Sequence, residues 1–357
     1  MNRTLTEIGI TLLGPLYGAY AGVNHRRVQA GMADAKALSI PVCSIGNISF
    51  GGTAKTPMAQ YVAIMLGRRG RRPGIVLRGW KGRIDREGGP PAVVSDGKHV
   101  LLEWFECGDE AALLAESLLP YGVPVAVGRD RLEACRLLLN VANVDAIVLD
   151  DGFQHTKLAR DLDLVLIDCL SPFGRYDGRP GPLREPVSAM SRADAIILTR
   201  ADAVDEHRVA SIMAVLGRRL REVPPIFMAR TRVHDVTDDR TGVEQFPFVL
   251  EGRRVLGFSG IGNPLGFRST LDDIGCGIAG LVVFPDHHPF RRRDLENVNR
   301  RACAAGAEAI VTTSKDAVRL DGCRDMLTLP LHIVEIRVTI DDEARFERFV
   351  IDRLGIS

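Results

Sequence analysis

Lys55 and Thr56 close a run of mostly small residues, Ser49-Phe50-Gly51-Gly52-Thr53-Ala54, with an apolar stretch before it and a helical pattern after it. That order of elements is what a phosphate-binding loop needs. Consecutive backbone N–H groups and a helix N-terminus can cradle phosphates. A lysine at 55 can reach the β- and γ-phosphates, and the Thr56 hydroxyl can ligate Mg2+. The pattern G-x-x-x-x-G-K-[ST] is met imperfectly, because Ser49 and Ala54 stand where glycines belong. A glycine-rich turn between strand and helix is the plain alternative. Lys55 is one of only six lysines among 46 basic residues, so a lysine here is not one among many.

A second cluster, Val148-Leu149-Asp150-Asp151-Gly152-Phe153-Gln154-His155, ends an apolar run in two acids. Acids at the carboxyl end of a strand form the Walker B arrangement, which holds Mg2+ directly or through water. Adjacent carboxylates need a cation or a proton nearby; alone, such a turn is a cap more often than a metal site, and it is the phosphate loop beside it that favours metal. A third cluster is Phe284-Pro285-Asp286-His287-His288-Pro289-Phe290. Its ligands are contiguous, with no further His or Cys at ligand spacing, which argues against zinc. Asp286 beside His287 at a strand terminus suits a proton relay. The fourth is Gly108-Asp109-Glu110 at the start of a helical pattern, where a plain cap and a first-turn acid explain the residues as well.

Positioning these groups requires strands that alternate with helices. Strand patterns fall at Ile40–Ile45, Gly74–Leu77, Val123–Val127, Asp145–Leu149, Leu162–Ile167 and Ala195–Leu198, and helical ones at Pro57–Arg69, Asp109–Leu118, Arg129–Leu139 and Ala203–Leu220. The alternation implies a mostly parallel sheet covered on both faces. A second series, Val255–Phe258, Leu281–Phe284 and Ala309–Thr312 with helices near Pro264–Asp273 and Arg291–Ala305, reads as a smaller α/β domain. Phe227–Val236 and His332–Ile340 bracket it and are expected to pair into a two-stranded ribbon. The expected organisation is an N-terminal segment 1–24, a P-loop-type domain 25–224, a smaller α/β domain 225–340 that includes the ribbon, and a C-terminal helix 341–357.

The chain has 357 residues, enough for about two domains. Its formal net charge of +1, from 46 basic and 45 acidic residues, argues against nucleic acid as a partner. The seven cysteines, 43, 107, 135, 169, 276, 303 and 323, form no C-x-x-C pair and read as free thiols of a reducing compartment. Ile8–Val23 carries no charge, is interrupted by Pro15 and leads into Arg26 and Arg27. It is shorter than the ~20 apolar residues a spanning helix needs. An interfacial segment at a bilayer and a helix packed on the domain fit it equally. Between Arg68 and Arg86 eight basic residues face only Asp85, which reads either as a solvated loop or as a surface toward phosphate or anionic lipid.

Taken together, GNISFGGTAKTP (46–57), LRGWKGR (77–83), GDEAALLA (108–115), GRDR (128–131), DDGFQH (150–155), GPLREP (181–186), FPDHHPF (284–290) and TTSKDAVRL (312–320) resemble the tetraacyldisaccharide 4′-kinase (lipid A 4′-kinase) family. The resemblance implies transfer of the ATP γ-phosphate to the 4′-hydroxyl of a lipid A disaccharide 1-phosphate, at the cytoplasmic face of the inner membrane, by a peripheral or monotopic protein. It makes Ser49, Phe50, Gly51, Gly52, Thr53, Ala54, Lys55 and Thr56 the ATP loop. It makes Thr56, Asp150 and Asp151 the Mg2+ residues, and Asp109 the base, assisted by His287 beside Asp286. No obligate protein partner is implied. The chain departs from the family pattern at Ala54, where glycine is usual, at Trp80, where tyrosine is, and at Ala111, where proline is. A P-loop GTPase or metallochaperone-like switch is the competing reading, since Thr199-Arg200-Ala201-Asp202 echoes [NT]-K-x-D without its lysine.

Overall fold

Short runs of β-branched and aliphatic residues form the strands. In the first half these are β1 (Val42–Asn47), β2 (Pro73–Leu77), β3 (Ala92–Ser95), β4 (Val125–Val127), β5 (Ala146–Asp150), β6 (Leu162–Asp168) and β7 (Ala195–Thr199). The second half adds β8 (Ile226–Asp238), β9 (Val243–Gln245), β10 (Arg254–Ser259), β11 (Gly277–Val283), β12 (Ala309–Thr313) and β13 (Leu331–Ile340). The computed structural model describes residues 35–50, 52–174, 183–320 and 322–356. The N-terminal segment 1–24 and Gly51 lie outside the described residues.

These strands hydrogen-bond in the order β11-β10-β12-β13-β8-β7-β6-β1-β5-β2-β4-β3, with β9 paired to β8. β1, β5, β6 and β7 are buried along their whole length, as a parallel sheet covered by helices on both faces requires. β4, β2, β5, β1, β6, β7 and β8, in that order, form the parallel set of the first half, and β3 caps its edge in the antiparallel sense. β10, β11, β12 and β13 form a second parallel set.

The two sets are joined by β8 and β13, which pair antiparallel from Ala229↔Ile340 to Asp238↔His332. β8 begins as a parallel neighbour of β7, with Thr199 opposite Ala229, and β13 begins as a parallel neighbour of β12, with Thr313 opposite Val334. Because the ribbon is antiparallel, the second set runs opposite to the first. Its carboxyl ends therefore point back at the carboxyl ends of the first set. Parallel sheets bind ligands at that edge, so the ribbon turns two such edges toward one cleft.

The core of the first half gathers Met58, Val62 and Leu66 of the helix Lys55–Arg68 with Phe346, Val350 and Leu354 of the C-terminal helix Glu343–Leu354. The seven cysteines are all free, four of them buried. Two strands have no counterpart in the sequence pattern, β3 and β9, and β11 starts at Gly277 rather than Leu281. Each miss is a short or glycine-containing piece held by its neighbours, not by its own periodicity.

Candidate active site

β1 ends at Asn47, and the chain turns into the helix Lys55–Arg68. Asn47 Nδ2 donates to Thr53 Oγ1 at 2.8 Å. Thr199 Oγ1 donates to the Thr53 carbonyl at 3.3 Å, and Arg200 Nη2 to the Gly52 carbonyl at 2.7 Å. Arg200 Nε also donates to Asp168 Oδ1 at 2.9 Å. The Thr-Arg-Ala-Asp segment thus braces the phosphate loop, which accounts for its arginine without any base-reading role. Ser49 bridges to Leu183, and the Arg184 guanidinium lies 5.5 Å from the centre of the Phe50 ring. Ala54 sits at φ 64, ψ 31. A left-handed backbone costs an L-residue with a Cβ roughly 1–2 kcal/mol. Ala54→Gly is therefore expected to raise stability by about 1 kcal/mol, once the looser unfolded chain is subtracted. A thermal melt reads this; a lower midpoint would show that the methyl is packed to advantage.

The two acids after β5 lie in different surroundings. Asp150 accepts from Thr56 Oγ1 at 2.8 Å through Oδ2, while its Oδ1 is buried without a hydrogen-bond partner among the described residues. Burial, with the charges of Glu110 and Asp151, pushes its pKa up to about 7 against the pull of Lys55 and Thr56. Asp151, at φ 57, accepts from Arg184 Nη1 at 2.7 Å through both oxygens and lies 3.6 Å from Lys55 Nζ. Burial raises its pKa, but the charges of Lys55, Arg184 and Arg131 outweigh that and hold it well below the usual carboxylate range. A hydroxyl beside a carboxylate with an open oxygen is a donor set that Mg2+ takes, with phosphate oxygens and water completing the shell. Thr56 and Asp150 fit that ion; Asp151 is already engaged by cations. Gln154 Nε2 ties this turn to the phosphate loop by donating to the Asn47 carbonyl at 2.8 Å.

Asp109 is delivered by close backbone packing. A Cβ on Gly82 would lie 2.5 Å from the Glu106 carbonyl, and one on Gly108, at φ 92, would lie 2.7 Å from the Trp80 carbonyl. Only glycine lets the 79–82 turn press onto the start of the helix Asp109–Leu118. Gly108 is the N-cap of that helix, without a side-chain cap, and Asp109 is its first residue. Its Oδ1 accepts from the Glu110 N–H at 2.9 Å, and its Oδ2 faces His287 Nδ1 at 2.7 Å across the cleft. Burial pushes the Asp109 carboxyl upward, yet the His287 hydrogen bond and the charges of Lys315, His287 and Arg319 hold it below the ordinary carboxylate value. Asp286 Oδ2 lies 3.6 Å from His287 Nε2, on the other side of the ring. His288 turns away to Asp294 at 3.0 Å and stacks on Phe284. The two histidines diverge, and no group of three or more His, Cys, Asp or Glu among the described residues could hold a metal.

Residues 7–355 match the family model described as tetraacyldisaccharide-1-P 4′-kinase. The chain belongs to that family. A tetraacyldisaccharide 4′-kinase of Anaeromyxobacter sp. (strain Fw109-5) is 42% identical over 310 residues, covering 87% of this chain and 81% of the relative. One from Desulfatibacillum aliphaticivorans is 35% identical, covering 99% of this chain and 95% of its own length. The crystal structure of LpxK from Aquifex aeolicus in complex with ATP superposes with a TM-score of 0.74 at 26% identity, covering 98% of this chain and 100% of that one.

In this member of the tetraacyldisaccharide-1-P 4′-kinase family, several charged groups lie in runs that the sequence marks, but were given no role there. Lys315 Nζ donates to Glu110 Oε1 at 3.0 Å, and Arg319 Nε lies 3.5 Å from Asp109 Oδ2. Lys81 Nζ reaches the Asp286 carbonyl at 3.5 Å. Lys315 and Arg319 lie on the short turns that follow β12, too brief for any periodicity. Both fall inside the TTSKDAVRL run (312–320), which marked the segment without giving either side chain a partner. Arg184 likewise sits in a segment with no regular element, although the Gly-Pro-Leu-Arg-Glu-Pro run contains it.

Proposed function

We propose that this kinase transfers the γ-phosphate of ATP to the 4′-hydroxyl of a lipid A disaccharide 1-phosphate. The observation that carries the reading is the 2.7 Å contact between Asp109 and His287, 178 residues apart in the chain and on opposite walls of the cleft. A sugar hydroxyl is a weak nucleophile, so its proton must leave as its oxygen bonds to the γ-phosphorus. Asp109 Oδ2 accepts that proton, and His287 orients the carboxylate. The bond from the γ-phosphorus to the bridging oxygen breaks, and ADP leaves with the electron pair. Lys55, 3.6 Å from Asp151, would face the transferring phosphoryl group. Thr56 and Asp150 would hold Mg2+, which neutralises charge on the phosphate oxygens. Because base and helper belong to different halves of the molecule, catalysis is coupled to closure of the cleft.

The proposed location is the cytoplasmic face of the inner membrane, with the uncharged run Ile8–Val23 and Arg26–Arg27 meeting the bilayer. Among the described residues no helix is long and apolar enough to cross a membrane. Removal of residues 1–24 is expected to lower sedimentation with anionic vesicles while leaving the melting temperature within a few degrees. Full retention on vesicles would move the contact elsewhere, to the basic stretch Arg68–Arg86.

Incubation with γ-labelled ATP and a lipid A disaccharide 1-phosphate in detergent micelles tests the reaction. Label should pass to the lipid when Mg2+ is present and fail to pass after chelation. Lipid-independent hydrolysis of GTP in its place would support the switch-like alternative.

A further inference from the structure

Arg319 heads the fully buried side chains, with 1% of its side chain exposed, and each of its three nitrogens donates to a group around the site. Nη2 donates to the Gly260 carbonyl at 3.0 Å and pairs with Asp316; Nη1 donates to the His288 carbonyl at 3.2 Å. Nε donates to the Lys315 carbonyl at 3.3 Å and faces Asp109 Oδ2. The Gly260 carbonyl also accepts the His287 N–H at 3.0 Å, and the Gly260 N–H donates to Asp316 Oδ1 at 2.9 Å. One guanidinium thus holds the His288 carbonyl directly and the His287 N–H through the Gly260 carbonyl they share. His287 needs that grip, because it sits at φ 61, a left-handed conformation that costs a residue with a Cβ energy unless its surroundings over-determine it.

We propose that Arg319 is a positioning residue for phosphoryl transfer: it locks the loop that carries His287 and presents a fixed positive charge to Asp109, so that the two meet across the cleft in one register. This rests on the reading of Asp109 and His287 as the proton-accepting pair. Arg319 itself touches neither nucleotide nor acceptor in this scheme. A planar fork makes all of these contacts at once, whereas an ammonium cannot. Asp316, fully buried, completes the bracket by fixing Gly260 and the guanidinium together.

The test compares Arg319→Lys, His287→Asn and the double variant in full-length protein, with kcat, KM for ATP and melting temperature measured on each. Arg319→Lys is expected to lower kcat about 10-fold or more, a part of what a positioned base supplies, with KM for ATP unchanged. In the His287→Asn background the same change should lower kcat less than about 2-fold, because groups that act as a unit are non-additive. If the losses multiply, or if KM for ATP rises in step with the fall in kcat, the positioning role is overturned. If His287→Asn alone turns over normally, the failure lies with the proton-accepting pair. Should Arg319→Lys not fold, Asp316→Asn releases the same bracket and is held to the same two criteria, loss of kcat and its disappearance beside His287→Asn.

Discussion

Lys55→Ala is expected to lower turnover by at least ~10²-fold, the scale of losing one positioned charge at a transferring phosphoryl group. The lysine side chain is 12% exposed and lies 3.6 Å from Asp151. Asp151 keeps Arg184 on both oxygens when the lysine is gone, so the fold has little reason to respond. The melting temperature should stay close to that of the parent protein while kcat collapses. A loss confined to KM would mean that Lys55 binds the ground state and the transition state equally. Near-normal phosphorylation of the lipid would remove the phosphate loop from the mechanism altogether.

That loop was the most legible part of the molecule because everything defining it is contiguous. An apolar run, a string of small residues, Lys-Thr and a helix follow one another within a few turns of chain. The two acids after β5 were equally visible, but their different states were not. Asp150 is set by Thr56, 94 residues away, and Asp151 by Arg184, 33 residues away. Only the sheet order brings those partners in. The ribbon could be anticipated from two alternating segments at the ends of the second series. The consequence, that antiparallel pairing makes two carboxyl edges face each other, needs the register of β8 against β13. β3 and β9 escaped because each pairs with one strand only and is partly or mostly exposed, unlike the equally short but buried β4. The role of Arg319 escaped although its run, TTSKDAVRL, was marked: that role is written in carbonyls from Gly260 and His288.

The pairing of Asp109 with His287 is where the cleft geometry makes its sharpest demand. Asn is the informative replacement at both positions. It keeps the size of Asp109 and removes its charge, and it is among the residues that best tolerate the left-handed backbone at His287. Asp109→Asn is expected to reduce kcat by roughly 10³-fold and His287→Asn by roughly 10²-fold, within the span a positioned base contributes. The double variant should be scarcely worse than Asp109→Asn, as expected of groups that act as a unit. ATP binding should persist in all three. A pH profile supplies the second readout. His287 holds the Asp109 carboxyl below its ordinary value, and Lys315 and Arg319 face the same group while Glu110 and Asp286 stand nearby. With the histidine contact removed, the Asp109 pKa rises, so the acid limb of kcat moves to higher pH in His287→Asn. Asp109 also answers the buried Arg319 and the partly buried Lys315, so Asp109→Asn melts lower than the parent protein. Turnover must therefore be read well below the midpoint, on protein shown to be folded. Near-normal turnover there, with only stability lost, would leave Asp109 as a counter-ion to Arg319 and Lys315 and return the search for the base to the other acids of the cleft.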